Sequence, residues 1–396
     1  MTGSTQQRTP NRWIMLVVSM LAQVAGTLFI NGVPFLLAYL SAERGLTLAH
    51  AGAIVAAPLA GVMVSLVAWG LVVDRIGERA SMSIGLAIVT LGALGSAFAG
   101  SLVELAVWFF LGGIGAGSTN SASGRVVVGW FPPHRRGMAM GIRQTALPLG
   151  VGAGALLVPN LVEIEGLRTT LLIIAGVCAA ATVLAVLVIV DPPRPTRAEA
   201  AGAGQLDNPY RRDHRLARIH LASTLLVIPQ FTVWTYMLVW LTDDKGWSTF
   251  SASILVASTQ VLGAAGRIGA GWWSDLVGSR LGPMRLVAIV AGSTMLALGL
   301  LSGTPLGIAL VVIATVVTVA DNGLAFTSVA EIGGPYWSGR AMGLQNTGQY
   351  VMSTVVPPAV GALVESRGFA VAFAAVAVFP FLAVPLVPVR GERAET

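Results

Sequence analysis

Gly70-Leu-Val-Val-Asp74-Arg75-Ile-Gly77-Glu-Arg79 returns about two hundred residues later as Gly271-Trp-Trp-Ser-Asp275-Leu-Val-Gly278-Ser-Arg280. Each copy closes a long apolar stretch and opens a short charged loop. The chain around them has 396 residues, of which 55% are hydrophobic and only 11% charged. Its mean hydropathy is +0.78. Soluble domains carry about 25% charged residues, and a soluble core of this size could not hide so much apolar surface. A lipid bilayer is therefore the expected solvent. The 47 glycines fit that solvent, because glycine is commoner in membrane helices than in soluble ones.

Twelve apolar spans can be marked, at 13–40, 49–73, 80–99, 102–130, 137–161, 169–190, 219–241, 249–273, 284–302, 305–333, 339–364 and 369–388. At 1.5 Å per residue each is long enough for the ~30 Å hydrocarbon layer. A net charge of +6 would suggest nucleic acid in a soluble protein, but its distribution argues otherwise. When the loops are numbered alternately, one side collects Arg8, Arg12, Arg75, Arg79, Arg135, Arg136, the 191–218 stretch, Arg280, Arg285, Arg340, Arg390 and Arg393. The other side has only Arg44, Arg168, Lys245 and Arg367, each with an acidic neighbour. The positive-inside rule then places both termini in the cytoplasm of a multi-pass inner-membrane protein. The first run is too long for the core of a cleavable signal. Cys178 stands alone, and no Cys/His cluster suggests a metal.

The stretch Asp191–Arg218 is the one composition shift, opening Asp-Pro-Pro-Arg-Pro and ending in a basic segment. It reads as a flexible linker between a bundle over 1–190 and a second over 219–396. The two halves match beyond the opening pattern. Tyr39-Leu-Ser-Ala-Glu43-Arg44-Gly45 parallels Trp240-Leu-Thr-Asp-Asp244-Lys245-Gly246, and Gly137-Met-Ala139-Met140-Gly141 parallels Gly339-Arg-Ala341-Met342-Gly343. Three landmarks in one order indicate parallel repeats about an axis along the membrane normal. The expected fold class is an all-α membrane protein of 12 transmembrane helices in two pseudo-symmetric six-helix bundles.

On these residues the chain resembles the major facilitator superfamily over nearly its whole length, the loop signature Gly70–Arg79 being the most specific element. The resemblance implies transport of a small molecule by alternating access, commonly proton-coupled. It also implies that the loop junctions latch the halves together in the outward-facing state. Gly70, Asp74, Arg75, Gly77 and Arg79 in the first copy, with Asp275 and Arg280 in the second, carry that expected role. Physically, Gly70 permits close helix approach, and Asp74 is placed to cap a neighbouring helix N-terminus. Leu276 replaces the arginine of the first copy, so the second latch is expected to be weaker. The alternative for either loop is a solvated charged turn. The superfamily's fourth-span arginine falls here on Phe109, which speaks against a simple drug/proton antiporter.

Charges inside a membrane are expensive and mark function by default. Arg143 heads the polar triplet Arg143-Gln144-Thr145, whose repeat counterpart is Gln345-Asn346-Thr347. A polar triplet at equivalent places suits a central site at the repeat interface; snorkelling to the edge is the alternative. Arg267 sits in the eighth span, where its repeat counterpart is Leu66. A guanidinium offers a carboxylate a bidentate fork, and in similar carriers of small carboxylates an arginine in this place binds the anion. Asp321 is the deepest carboxylate and the candidate proton carrier, with Arg267 as switching partner; a permanent ion pair is the alternative. Arg125 is expected to pair with Asp74, and Glu331 with Arg340 belongs to the same charged face.

Asn31, Trp234, Asn346, Gln349 and Tyr350 complete the expected substrate lining, although helix–helix hydrogen bonding accounts for any one of them equally well. The leading expectation is a proton-coupled symporter of a small organic anion, monomeric in the bilayer, with no cofactor beyond the coupling proton, no metal and no nucleic-acid partner. Efflux of drugs or lipids is the alternative, and a non-transporting receptor a more distant one. Without a phosphate loop, ligand cluster or nucleophile constellation, an enzyme is not expected.

Overall fold

The computed structural model describes residues 10–37, 39–40, 48–212 and 214–392. Arg8, Arg393 and the landmark residues Ser41–Gly45 lie outside them, so those expectations are not addressed further. Among the described residues the secondary structure is entirely helical. Eight segments have the length and hydropathy to cross a membrane. Two of them are longer than one crossing and divide where a glycine takes a positive φ: Gly166 at 77°, Gly334 at 63° and Gly368 at 80°. With the more polar Thr249–Val277 this makes twelve helices.

We number them α1 (Arg12–Leu36), α2 (His50–Ile76), α3 (Glu78–Ala97), α4 (Leu102–Trp130), α5 (133–165) and α6 (167–188) in the first bundle. The second holds α7 (Arg215–Asp244), α8 (Thr249–Val277), α9 (Leu281–Leu301), α10 (306–333), α11 (335–367) and α12 (369–386). An even number of crossings puts the start of α1 and the end of α12 on one side, here called the terminal face. Three of these helix starts carry side-chain caps: Asn11 accepts from the Trp13 amide at 3.0 Å, Ser101 from Glu104 at 3.1 Å and Ser248 from Ser251 at 3.2 Å. Large apolar side chains such as Val64, Val103, Leu187 and Leu300 stand outward and exposed. Such a surface belongs in lipid rather than water.

The core is divided in a way that matters for the site. One buried cluster, around Phe29, Leu86 and Phe109, lies wholly in the first bundle. Another, around Trp240, Met295 and Phe373, lies wholly in the second. The third joins them towards the terminal face, where Leu16, Phe131 and Met140 pack with Leu324, Phe326 and Met342. Among the described residues, hydrogen bonds between bundles run from the terminal face to the middle of the molecule. The farthest of them is the Thr354 Oγ1–Met63 Sδ contact at 3.9 Å. The bundles are therefore closed against each other at the terminal face.

The segment between α6 and α7 makes contacts that its composition does not reveal. It carries two short helices, Arg197–Gly202 and Pro209–Arg212, and it is fastened to both bundles. Arg194 bonds Glu78 at 2.8 Å. The Pro195 carbonyl accepts from the Tyr336 hydroxyl at 2.6 Å, and the Leu206 carbonyl from the Trp337 indole at 3.0 Å. The proline run makes no helix of its own, so the Pro195 carbonyl stays available to the Tyr336 hydroxyl on α11.

Candidate functional site

The repeated loops are built as a matched pair of cross-bundle clasps. Gly70 on α2 lies so close to α11 that a Cβ there would fall on the Gly339 carbonyl; Gly271 on α8 stands in the same relation to the Gly137 carbonyl on α5. That approach brings each aspartate onto the opposite bundle's helix start. Asp74 accepts from the amides of Gly339 at 2.9 Å and Arg340 at 3.1 Å. Asp275 accepts from those of Gly137 at 3.0 Å and Met138 at 2.8 Å. The positive end of the helix dipole favours a carboxylate there.

The counter-cations are only partly the ones expected. Arg75 and Arg79 project to solvent, and neither side chain contacts Asp74. Asp74 is held by Arg125 at 2.8 Å, as expected, and also by Arg340 at 2.9 Å. Arg125 also pairs with Glu78 at 3.0 Å and reaches the Pro335 carbonyl at 2.7 Å, across the bundle boundary. In the second clasp Arg280 pairs with Asp275 at 2.5 Å and Glu331 at 3.6 Å, and Arg136 reaches Glu331 at 3.4 Å. Leu276 in place of arginine costs the second clasp little by this geometry, because the arginine after the first aspartate points away. Gly77 and Gly278, with φ of 94° and 63°, supply the left-handed turns that follow.

One further pair was not legible from the loops. Asp191 caps α3 through the Arg79 amide at 2.8 Å, and Glu392 caps α9 through the Arg280 amide at 2.5 Å. They are 201 residues apart, the same offset as the loops. The signal was present, but each lies past the end of an apolar span, where one carboxylate resembles any other.

The middle of the molecule holds two buried guanidinium groups from opposite bundles. Gly141 lets α5 lie against α8 so closely that a Cβ would meet the Arg267 carbonyl. One turn further, α5 breaks at Gln144. The Leu149 amide bonds the Thr145 carbonyl at 3.1 Å, but the Gln144 carbonyl would need a donor at position 148. Pro148 has none. Arg267 of the second bundle takes that carbonyl at 2.8 Å. Arg143 turns inward, only 1% exposed. It donates to Gln144 Oε1 at 2.5 Å, Ser123 Oγ at 3.0 Å and the Asn120 carbonyl at 2.9 Å, and it stacks over Phe326 of α10 at 5.5 Å.

Arg267 is less well satisfied. Its Nε is buried without a partner, and its guanidinium lies 5.8 Å from the Trp234 ring, whose own Nε1 is likewise unpartnered. Pro148, Trp234, Gln260, Thr315 and Arg267 line a cleft too tight to admit a water molecule. Asp321 is buried on α10 within coulombic reach of Arg267, but the two are not in ion-pair contact.

The remaining expected lining residues divide. Gln349 joins a network, donating to Asn322 at 2.9 Å and Ser223 at 3.2 Å, while Asn322 donates to Gln230 at 2.8 Å. Tyr350 reaches Asn120, whose side chain accepts from Gln23 at 3.2 Å. Asn31 and Asn346 bond only their own helices, at Thr27 and Met342. Gln23, Ser123 and Ser223 were missed. Their signal was the 202-residue offset between Asn120 and Asn322, each of which takes a glutamine from a neighbouring helix. Also missed was the chain in which His220 joins Tyr210 of the linker, at 2.8 Å, to Gln345 of α11, at 2.5 Å.

Comparison with known proteins adds four findings. The family described as the Major Facilitator Superfamily matches residues 15–357. An uncharacterized MFS-type transporter of Mycobacterium tuberculosis is 47% identical over 381 residues, covering 96% of this chain and 85% of the relative. A probable sulfoacetate transporter of Cupriavidus necator is 25% identical over 352 residues, covering 82% and 81%. Among solved structures the E. coli fucose:proton symporter superposes with a TM-score of 0.74 at 16% identity, covering 96% of this chain and 98% of that one.

Proposed function

We infer that this chain, which belongs to the Major Facilitator Superfamily, carries a small organic anion, with a carboxylate as the favoured class. One observation supports the reading above others: guanidinium groups from opposite bundles converge on Gln144 at the bundle boundary. With Asp321 ionised the pair still leaves one uncompensated positive charge, which an anionic substrate would neutralise. A guanidinium fork matches a carboxylate or sulfonate. The sulfoacetate relative lends support from outside the chain.

Alternating access follows from the family architecture, with 1–190 and 219–396 as the rocking units and 191–218 joining them. The arginine-rich terminal face is assigned to the cytoplasm, and with it both chain ends. The clasps then close the inner side. Asp321 is the proposed proton site. Protonating it would raise the positive charge of the chamber by one and couple proton entry to anion binding.

Uptake into proteoliposomes under an imposed pH gradient tests this, over a panel of carboxylates, sulfonates, sugars and cationic dyes. The expected result is accumulation of one anion class, with Asp321→Asn retaining anion binding but losing pH-driven accumulation. Movement of sugars or dyes with no anion flux would end the reading.

A further inference from the structure

We propose that Gln144 is a built-in stand-in for the transported anion: its two oxygens hold the guanidinium groups of Arg143 and Arg267 in the empty carrier, and the substrate displaces them. The proposal rests on the anion-carrier reading above and goes beyond it, because it assigns how the empty site is kept and what binding must break.

The argument begins with valence. An arginine has five N–H donors and no acceptor, and a buried one needs oxygens around it. Arg143 finds neutral ones only: Gln144 Oε1, Ser123 Oγ and the Asn120 carbonyl. Arg267 has a single acceptor, the Gln144 main-chain oxygen, and leaves Nε bare while buried. Two cations thus meet on the two oxygens of one uncharged residue. An oxyanion is the stronger acceptor for both, since bonds with charge on both partners are shorter and roughly twice as strong as neutral ones.

The chain supplies this oxygen pair by a specific device. In an unbroken helix the Gln144 carbonyl would be consumed by the amide four residues on. Pro148 removes that amide, so the carbonyl is free to cross the bundle boundary. The repeat counterpart shows what happens without the device. Asn346 is followed four residues later by Tyr350, which has an amide; α11 runs on unbroken there, and Asn346 bonds only its own helix. The oxygen pair is therefore an addition to the repeat. An incoming oxyanion that takes Arg267 from Gln144 also severs the hydrogen bond joining the bundles at this level. Substrate arrival and release of the bundles become one event.

Calorimetric titration of the purified full-length protein with acetate, succinate, benzoate and sulfoacetate tests this. Gln144→Leu removes the side-chain oxygen at similar volume. Pro148→Ala returns an amide that competes for the main-chain oxygen. Each is expected to lower Kd for the anion that wild type binds by about tenfold, because the substrate no longer displaces a resident acceptor. Gln144→Glu places a permanent carboxylate between the arginines and is expected to abolish binding. A residue that merely glues helices together would give the opposite order, with weaker binding in the first two variants. If wild type binds and neither Gln144→Leu nor Pro148→Ala binds more tightly, the stand-in is refuted while the anion carrier stands. If wild type binds none of the four anions, the underlying reading has failed. Should Gln144→Leu not fold, Pro148→Ala and Gln144→Glu decide the question.

Discussion

The two ends of the repeat obey its symmetry and the two middles break it. At the terminal face Asp74 and Asp275 each cap the helix that starts the opposite bundle's latch, over a matched pair of glycines. Half a membrane away, the equivalent triplets Arg143-Gln144-Thr145 and Gln345-Asn346-Thr347 have parted. The first turns a guanidinium to the bundle boundary and breaks its helix; the second bonds His220 inside its own bundle. Closing two bundles against each other requires the same geometry twice, so that part is kept in both copies. Recognising an asymmetric solute requires different groups on its two sides.

Removing the broken symmetry should produce the largest effect. Arg143→Gln gives the first half the residue of the second, and Arg267→Leu gives the second half the residue of the first. Each loses charge-assisted hydrogen bonds of about 1.5–3 kcal/mol apiece. Anion uptake by either variant in proteoliposomes should fall by more than about 30-fold with the protein still folded. Unchanged uptake in both would show that the middles differ for structural reasons only.

The clasps test the symmetric side. Asp74→Asn leaves Arg340 with no carboxylate, while Arg125 keeps Glu78; Asp275→Asn leaves Arg280 with Glu331 as a partner. Unpairing a buried charge costs about 3–5 kcal/mol. Asp74→Asn should therefore open the terminal face more than Asp275→Asn. The readout is alkylation of a cysteine placed at Ala139, buried in the cluster that joins the bundles, or a shift of Tm. Equal effects would mean that the backbone caps alone carry the clasps.

A smaller effect is expected at the secondary caps. Asp191→Ala and Glu392→Ala each remove one helix cap, worth about 1 kcal/mol, and should lower Tm by similar small amounts. The smallest should be at Arg75. Arg75→Gln removes an exposed side chain that does not touch the latch carboxylate and should change uptake less than twofold. A large loss there would restore the role that the family resemblance implied and that the geometry gives to Arg125 and Arg340.

Legibility followed chain distance. The loop pattern, the 201-residue offset and the deep placement of Arg143, Arg267 and Asp321 were readable because each is a local departure from an apolar background. Arg125 with Asp74 was also accessible, since both lie near the same ends of neighbouring helices. Arg340 as the second partner of Asp74 was not. The choice between Arg75 and Arg340 depends on which way a side chain leaves its helix, and a spacing pattern carries no such information. The same holds for Gln144. Its neighbour Pro148 was visible as a helix irregularity, but the acceptor that this irregularity releases has meaning only once Arg267 stands opposite.

What the amino-acid sequence determined by itself was the solvent, the number of crossings, the duplication and the positions where charge enters the membrane. These depend on hydropathy and on residue spacing along one chain. What only the tertiary structure decided was pairing: which cation holds each clasp, how the linker straps the closed face, and that two arginines share the oxygens of Gln144. Hydrogen bonds act over about 3 Å, and the groups that join the two bundles, Asp74 with Arg340 and Gln144 with Arg267, lie more than a hundred residues apart, so packing alone could bring them together.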